Sequence, residues 1–363
     1  RIDAVDSEVQ DWAHLDHAHS MTHARADDKH RQAGRPIWPL HGVPVGVKDI
    51  FDTSEMPTED GSVLRSGRTP GADAAAVARL RESGAVILGK TVTTEFAVYG
   101  PGKTRNPHDP ARTPGGSSSG SAAAVAAGMV PLSLGTQTNG SVIRPASYCG
   151  VYGFKPSHGL ISRHRVLKLS GLLDHVGMFG RSLEDLALLS EQLVGHDARD
   201  PDTHPVARPR MLDITLEAPP MPPRLAFVKG PAWEQAEQDV VDGFAEMAAQ
   251  LGDRMDEVEL PGNFEDAMEW HRVIMEADLA LNLARDYRRG ADEMSPRLRE
   301  MIERGLQEKA VQYNLAAQHR PLLRQFVAEL MLDFDAIVTP SANGEAPLGL
   351  DSTGSPAFST LWS

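Results

Sequence analysis

Three short apolar runs constrain this chain most: VPVGV at 43–47, AVILGKT at 85–91 and MVPLSLGT at 129–136. Each is nearly continuous in apolar residues and too short for an ordinary helix, as strands covered on both faces require. Between the first two lies ADAAAVARLRESG, where Ala76 and Leu80 share one helical face and Gly84 supplies the stop. Alternation of strand and helix predicts an α/β fold with a sheet buried on both faces. The pattern continues. Small residues from Ser121 to Gly128 predict a tightly packed helix, and VYGFKPS a further strand. SLEDLALLSEQLV predicts a helix opened by the Ser182-x-x-Asp185 capping pattern. Residues 1–35 read as a polar, His-rich helical segment, and 196–223 as a crossing loop. RLAFVKG and FDAIVTPSA read as strands, and 234–252, 264–289 and 295–334 as mostly helical.

The stretch TPGGSSSGSAAAVAAG, from Thr113 to Gly128, is the first candidate for chemistry. A linker would not run straight into helix formers and then a strand. A phosphate loop needs a Lys after its glycines, and none follows here. A serine network remains, and serine is a poor nucleophile at neutral pH without an activating base. Two other segments supply parts. LHGVPVGVKDIFDT sets Lys48 at the end of an apolar strand, where burial would lower its pKa. GTQTNGSVIRPAS sets Ser141 on a Gly-rich turn, read as lying between strands, where backbone N–H groups of Thr138, Asn139, Gly140 and Ser141 can converge on an oxyanion.

Together these segments resemble the amidase signature family. The glycine-serine loop GGSSSGS, the segment GTQTNGSVIRPASYCGVYGFKPS and the segment LHGVPVGVKDIFDT follow the family's order and spacing. DAAAVARLRESGAVILGKTVTTEFA and FDAIVTPSA add to the likeness, which is dense from Leu40 to about Leu189 and thinner afterwards. The resemblance implies a large mixed β-sheet core surrounded by α-helices, in one domain over 1–363. Residues 40–190 would be its catalytic signature core and 224–334 a more variable, mostly helical, substrate-side region. It implies a Ser-Ser-Lys triad: Ser141 as nucleophile, Ser117 as bridging serine after a cis Gly116–Ser117 peptide, and Lys48 as base. The implied reaction is cleavage of a non-peptide carboxamide C–N bond through an acyl-enzyme, with no cofactor and no metal. A runner-up reading is the glutaminase subunit of a tRNA-dependent amidotransferase. A third, a scaffold that kept the fold without catalysis, would not need Lys48, Ser117 and Ser141 in its interior.

Many family members carry Asp four residues before the nucleophile and Arg two after it. Here those positions hold Gln137 and Ile143, and Arg144 sits three after. This arrangement resembles the malonamidase-like branch, where such an arginine meets a substrate carboxylate. A structural arginine bonding loop carbonyls is the equal alternative, since guanidinium suits both roles. Gly116, Ser118 and Gln137 join Arg144 as candidate substrate contacts. For Ser118 and Ser119, bonding the loop or capping the next helix is the stronger reading.

Composition bounds the partners. The net charge is −14, which argues against nucleic acid. No apolar run can span a bilayer and Arg1 opens no signal peptide, so no membrane is expected. A small-molecule amide is the expected ligand and a homodimer a possible assembly. The single cysteine, Cys149, excludes an internal disulfide and fits a cytoplasmic setting; it reads as a small buried residue. Both ends read as trimmed, with no initial Met and a stop at FSTLWS. His14, His17, His19, His23 and His30 crowd the N-terminal segment, and His19 and His23 can share a helix face. With no further ligand motif beside them, a solvated face is the expectation.

Overall fold

The computed structural model describes residues 1–262 and 264–363 in full and residue 263 by its backbone. Strands β1 (Trp12–Leu15), β2 (Pro44–Lys48), β3 (Val86–Thr91), β4 (Leu132–Gln137), β5 (Tyr152–Phe154) and β6 (His175–Gly180) form one mixed sheet. Its order is β1-β3-β2-β4-β6-β5. β3, β2 and β4 run parallel; β1 joins β3, β6 joins β4, and β5 joins β6 in antiparallel fashion. Strands β7 (Leu225–Phe227), β8 (Met255–Glu257) and β9 (Ala336–Val338) make a smaller parallel sheet in the order β8-β7-β9.

Parallel neighbours need long crossovers, and helices supply them. Helix Ala75–Glu82 lies between β2 and β3, and helix Ser119–Ala126 between β3 and β4. Val45, Val47, Leu134 and Met178 join the larger core cluster, while Val125, Val142 and Phe179 join a second one. Every residue of β4 and of β6 is buried. The chain has the amidase signature fold, a mixed sheet surrounded by helices.

The small residues of helix Ser119–Ala126 let its backbone reach the strand ends. The Gly120 N–H donates to the Val92 carbonyl at 3.0 Å. A Cβ on Gly120 would run into the Asp11 carbonyl and the Val92 backbone nitrogen. Hydroxyls then staple the layers. Ser121 Oγ donates to the Leu134 carbonyl at 2.8 Å and lies 2.6 Å from Thr91 Oγ1; Ser133 Oγ donates to the Ser121 carbonyl at 2.7 Å. The serines at 117–119 are thereby held over the ends of β2 and β4.

Four local features differ from the sequence reading. Residues 1–35 hold two helices, Ile2–Val9 and His17–Gln32, with β1 between them. Trp12 is buried against the sheet, and the polar histidine-rich composition hid this short strand. β6 escaped notice because Gly177 and Gly180 weaken its strand signal. Packing demands the first of these: a Cβ on Gly177 would stand 2.7 Å from Val142 Cγ2. The loop at 196–223 contains helix Met211–Leu216. Finally, Ser141 lies on the turn from β4 into helix Ile143–Cys149, not between strands.

Candidate active site

Lys48 ends β2 with no exposed surface. Its Nζ donates to Ser117 Oγ at 2.7 Å and to Thr136 Oγ1 at 2.9 Å. Burial pushes its pKa well below the usual lysine range, and the carboxylate of Asp174 opposes that shift. Thr136 is near the end of β4, the parallel neighbour of β2, which explains how it reaches Lys48. Ser118 fixes Thr136 in turn: its Oγ donates to the Thr136 carbonyl at 3.2 Å and accepts from the Thr136 N–H at 3.3 Å. Ser118 is therefore turned into the strand end, and Ser119 Oγ donates to the Val92 carbonyl at 3.3 Å.

The Gly116–Ser117 peptide is cis. Ser117 and Ser141 line one narrow cavity of about 20 Å³, together with Thr138, Asn139 and Arg144. Tyr99, Met275 and Leu279 close it from the other side. No hydrogen bond links Ser117 to Ser141 among the described residues. Nor do the backbone N–H groups of Thr138, Asn139, Gly140 and Ser141 donate to any described residue, so four amide donors stand free beside the Ser141 hydroxyl. Larger cavities of about 280 and 470 Å³ lie elsewhere; the first reaches the far side of Thr136, Thr138 and Asp174, and neither includes Ser141. The narrow cavity is the one that holds the reactive groups, and chemistry rather than volume singles it out.

Each side chain of the turn is pinned. Gln137 Oε1 accepts from the N–H groups of Val142 and Ile143 at 2.9 and 3.1 Å, closing the start of helix Ile143–Cys149. Its Nε2 donates to Ser363 Oγ at 2.9 Å, so Gln137 points away from the cavity. Thr138 Oγ1 donates to Asp174 Oδ1 at 2.6 Å, and His271 Nε2 donates to the Thr138 carbonyl at 2.9 Å. Burial lowers the His271 pKa to about 4, which keeps the ring neutral at pH 7. Asp174 also accepts from the N–H groups of Leu169 and Ser170, and burial raises its pKa to about 6. Asn139 donates to Tyr99 Oη at 2.8 Å and accepts from Thr360 Oγ1 at 2.6 Å.

Arg144 is 1% exposed and meets no carboxylate. Its Nη2 donates to the Gly116 carbonyl at 2.5 Å and to Thr353 Oγ1 at 3.3 Å; Nη1 donates to the Gly354 carbonyl at 2.9 Å. Its Nε is buried without a partner. Asp174 and Glu95, considered as captors, are engaged elsewhere: Glu95 Oε2 accepts from the Ser295 N–H at 3.0 Å. Sequence reasoning missed Thr136, Asp174, Tyr99, His271, Met275 and Leu279. For Thr136 a signal existed, since it lies two residues past Leu134, whose strand flanks that of Lys48; the helix residues gave none.

The chain matches the Amidase family over residues 1–361 and belongs to it. It is 37% identical over 303 residues to the A-chain component of the glutamyl-tRNA(Gln) amidotransferase of Chloroflexus aurantiacus, covering 78% of this chain and 60% of that one. It is 39% identical over 296 residues to the protein of the same name from Thermobifida fusca, covering 78% and 59%. It thus spans about three fifths of the length of these relatives. Among solved structures, a chain from a vestigial protein complex bearing on the evolutionary origins of an s-triazine catabolic enzyme superposes with a TM-score of 0.89. The two are 32% identical, and the match covers 96% of this chain and 77% of that one. These relatives correct one expectation. Overall negative charge does not exclude nucleic acid here, because proteins named for glutamyl-tRNA(Gln) are among the chain's relatives; whole-chain charge averages over surfaces and ignores other subunits. No helix among the described residues is long and apolar enough to cross a membrane.

Proposed function

We propose that this chain releases ammonia from a carboxamide through an acyl-enzyme on Ser141, as the amide-hydrolysing subunit of an amidotransferase with glutamine as donor. One observation carries the catalytic part: a fully buried Lys48 amine bonded to Ser117 Oγ, beside a Ser141 hydroxyl flanked by free backbone donors. With its pKa depressed, neutral Lys48 accepts a proton. The proton leaves Ser141 Oγ for Ser117 Oγ as the Ser117 proton passes to Lys48 Nζ. Ser141 Oγ attacks the carbonyl carbon, and the negative oxygen is met by N–H groups of the 138–141 turn. Collapse breaks the C–N bond as the relay returns the proton to nitrogen, and ammonia departs. Water then cleaves the ester by the reverse relay.

The names of the relatives support the amidotransferase setting, with an acceptor such as glutamyl-tRNA(Gln) served by further subunits. One observation favours a second reading, a free-standing amidase for small carboxylate-bearing amides. Arg144 lines the cavity with a buried, unpartnered Nε, a donor suited to an anionic substrate group. Ammonia release should be measured from glutamine, from neutral amides and from dicarboxylic half-amides, with and without partner subunits and charged tRNA. Glutamine turnover that rises with partners supports the first reading. Turnover of half-amides without partners, with KM raised in Arg144→Ala for these more than for neutral amides, supports the second. Turnover that survives Ser141→Ala overturns both.

A further inference from the structure

Helix His17–Gln32 places His19 and His23 one turn apart on the same face, their ring centroids 4.5 Å apart and tilted by 53°. The loop after β2 brings Glu55 against this pair from a different part of the chain. Glu55 Oε2 lies 2.9 Å from His19 Nε2 and 3.9 Å from His23 Nε2. One donor atom from each of the three residues falls within 4.8 Å of the others. His19 is the most covered of the three side chains, at 24% exposed; His23 and Glu55 are 42% and 44% exposed.

We propose that His19, His23 and Glu55 form a binding site for a divalent transition-metal ion of the Zn²⁺ or Ni²⁺ class, separate from the Ser141 cavity. Tetrahedral zinc holds nitrogen and oxygen donors at about 2.0–2.2 Å, which puts neighbouring donors about 3.3 Å apart. The observed 2.9 and 3.9 Å separations bracket that spacing, so small side-chain rotations suffice. Two imidazoles and one carboxylate favour zinc, nickel or copper over magnesium or calcium, which prefer all-oxygen shells. The exposed side leaves room for water as the fourth ligand. The neighbouring cation does not defeat the site. Arg81 Nη2 stands 3.2 Å from Glu55 Oε2, but Arg81 Nε also donates to Asp73 Oδ2 at 3.0 Å, so the guanidinium keeps a carboxylate when the metal takes Glu55. The sequence offered only the i, i+4 histidine pair; the third ligand is visible only once the loop is folded against the helix. A bound ion would tie that helix to the loop that follows Lys48.

The test titrates ZnCl₂ and NiCl₂ into untagged, chelator-treated protein by calorimetry, with thermal melting in parallel. The expected result is one site with a raised melting temperature, since an ion that binds only the folded chain stabilises it. His23→Ala and Glu55→Gln, on exposed side chains that folding does not need, should each weaken that site by at least the roughly 10–100-fold that loss of a mere outer-shell partner costs. Circular dichroism establishes that both variants are folded. Absence of a stoichiometric site in the wild-type protein overturns the proposal. So does a site whose affinity is unchanged in both variants, because the ion then sits on other histidines.

Discussion

Asp11 should destabilise the protein at neutral pH, and Asp11→Asn should relieve it. Asp11 has no exposed surface, and neither carboxylate oxygen has a hydrogen-bond partner. Burial, and secondarily the charge of Asp6, raises its pKa from 3.8 to about 9. The folded chain therefore holds a proton that the unfolded chain releases above pH 4. Stability from this group is complete at low pH and is lost as pH rises towards 9. At pH 7 the loss is about 4 kcal/mol, from roughly 1.4 kcal/mol per pH unit over about three units. The amide of Asn cannot ionise, but its donors are also buried without partners, which costs about 1–3 kcal/mol. A net gain of about 2 kcal/mol at pH 7 follows. The main chain is not disturbed: the Asp11 N–H still donates to Asp6 Oδ1 at 2.7 Å and its carbonyl still accepts from Val92 at 2.8 Å. Urea unfolding at pH 5 and pH 8 measures both terms. The variant's advantage should grow with pH across that interval. An advantage that is absent at pH 8, or equal at both values, refutes the reasoning.

Ser141→Ala should abolish amide turnover and leave the melting temperature near that of the wild type; residual turnover in the pure variant would move the nucleophile elsewhere. Lys48→Ala and Ser117→Ala should each lower kcat by about 10²–10⁴-fold, and the double variant should lose little more, because both serve one proton path. The rate should rise with pH as Lys48 loses its proton, at a midpoint well below the usual lysine value, and a flat profile from pH 6 to 10 would contradict this. Asp174→Asn removes the carboxylate that opposes that shift, so the rising limb should move to lower pH while Thr138 loses an acceptor and kcat falls.

The triad segments were legible because each couples an unusual residue to a strong local pattern: a lysine ending an apolar strand, serines among glycines, a serine after Asn-Gly. β2, β3 and β4 were legible for the same reason, as continuous apolar runs between helices. What stayed hidden depends on contacts between distant segments. Asp174 meets Thr138, His271 meets the Thr138 carbonyl, and Gln137 spends its side chain on the next helix. β6 carries two glycines that its packing needs, so local propensity argued against a strand that tertiary contacts impose. Met275 and Leu279 are ordinary apolar positions on an amphipathic helix until the fold brings them over Ser141.

The narrowness of the Ser141 cavity bears on how the protein is switched on. A volume of about 20 Å³ admits little more than one water molecule, so a substrate binds only when Tyr99, Met275 or Leu279 has moved aside. The chain then samples a closed majority and an open minority, and the apparent dissociation constant is the intrinsic one divided by the open fraction. A population about 1% open would weaken apparent affinity about a hundredfold. Any partner that prefers the open form repays part of that factor without touching Lys48, Ser117 or Ser141, and by linkage the amide substrate strengthens the hold on that partner by the same ratio.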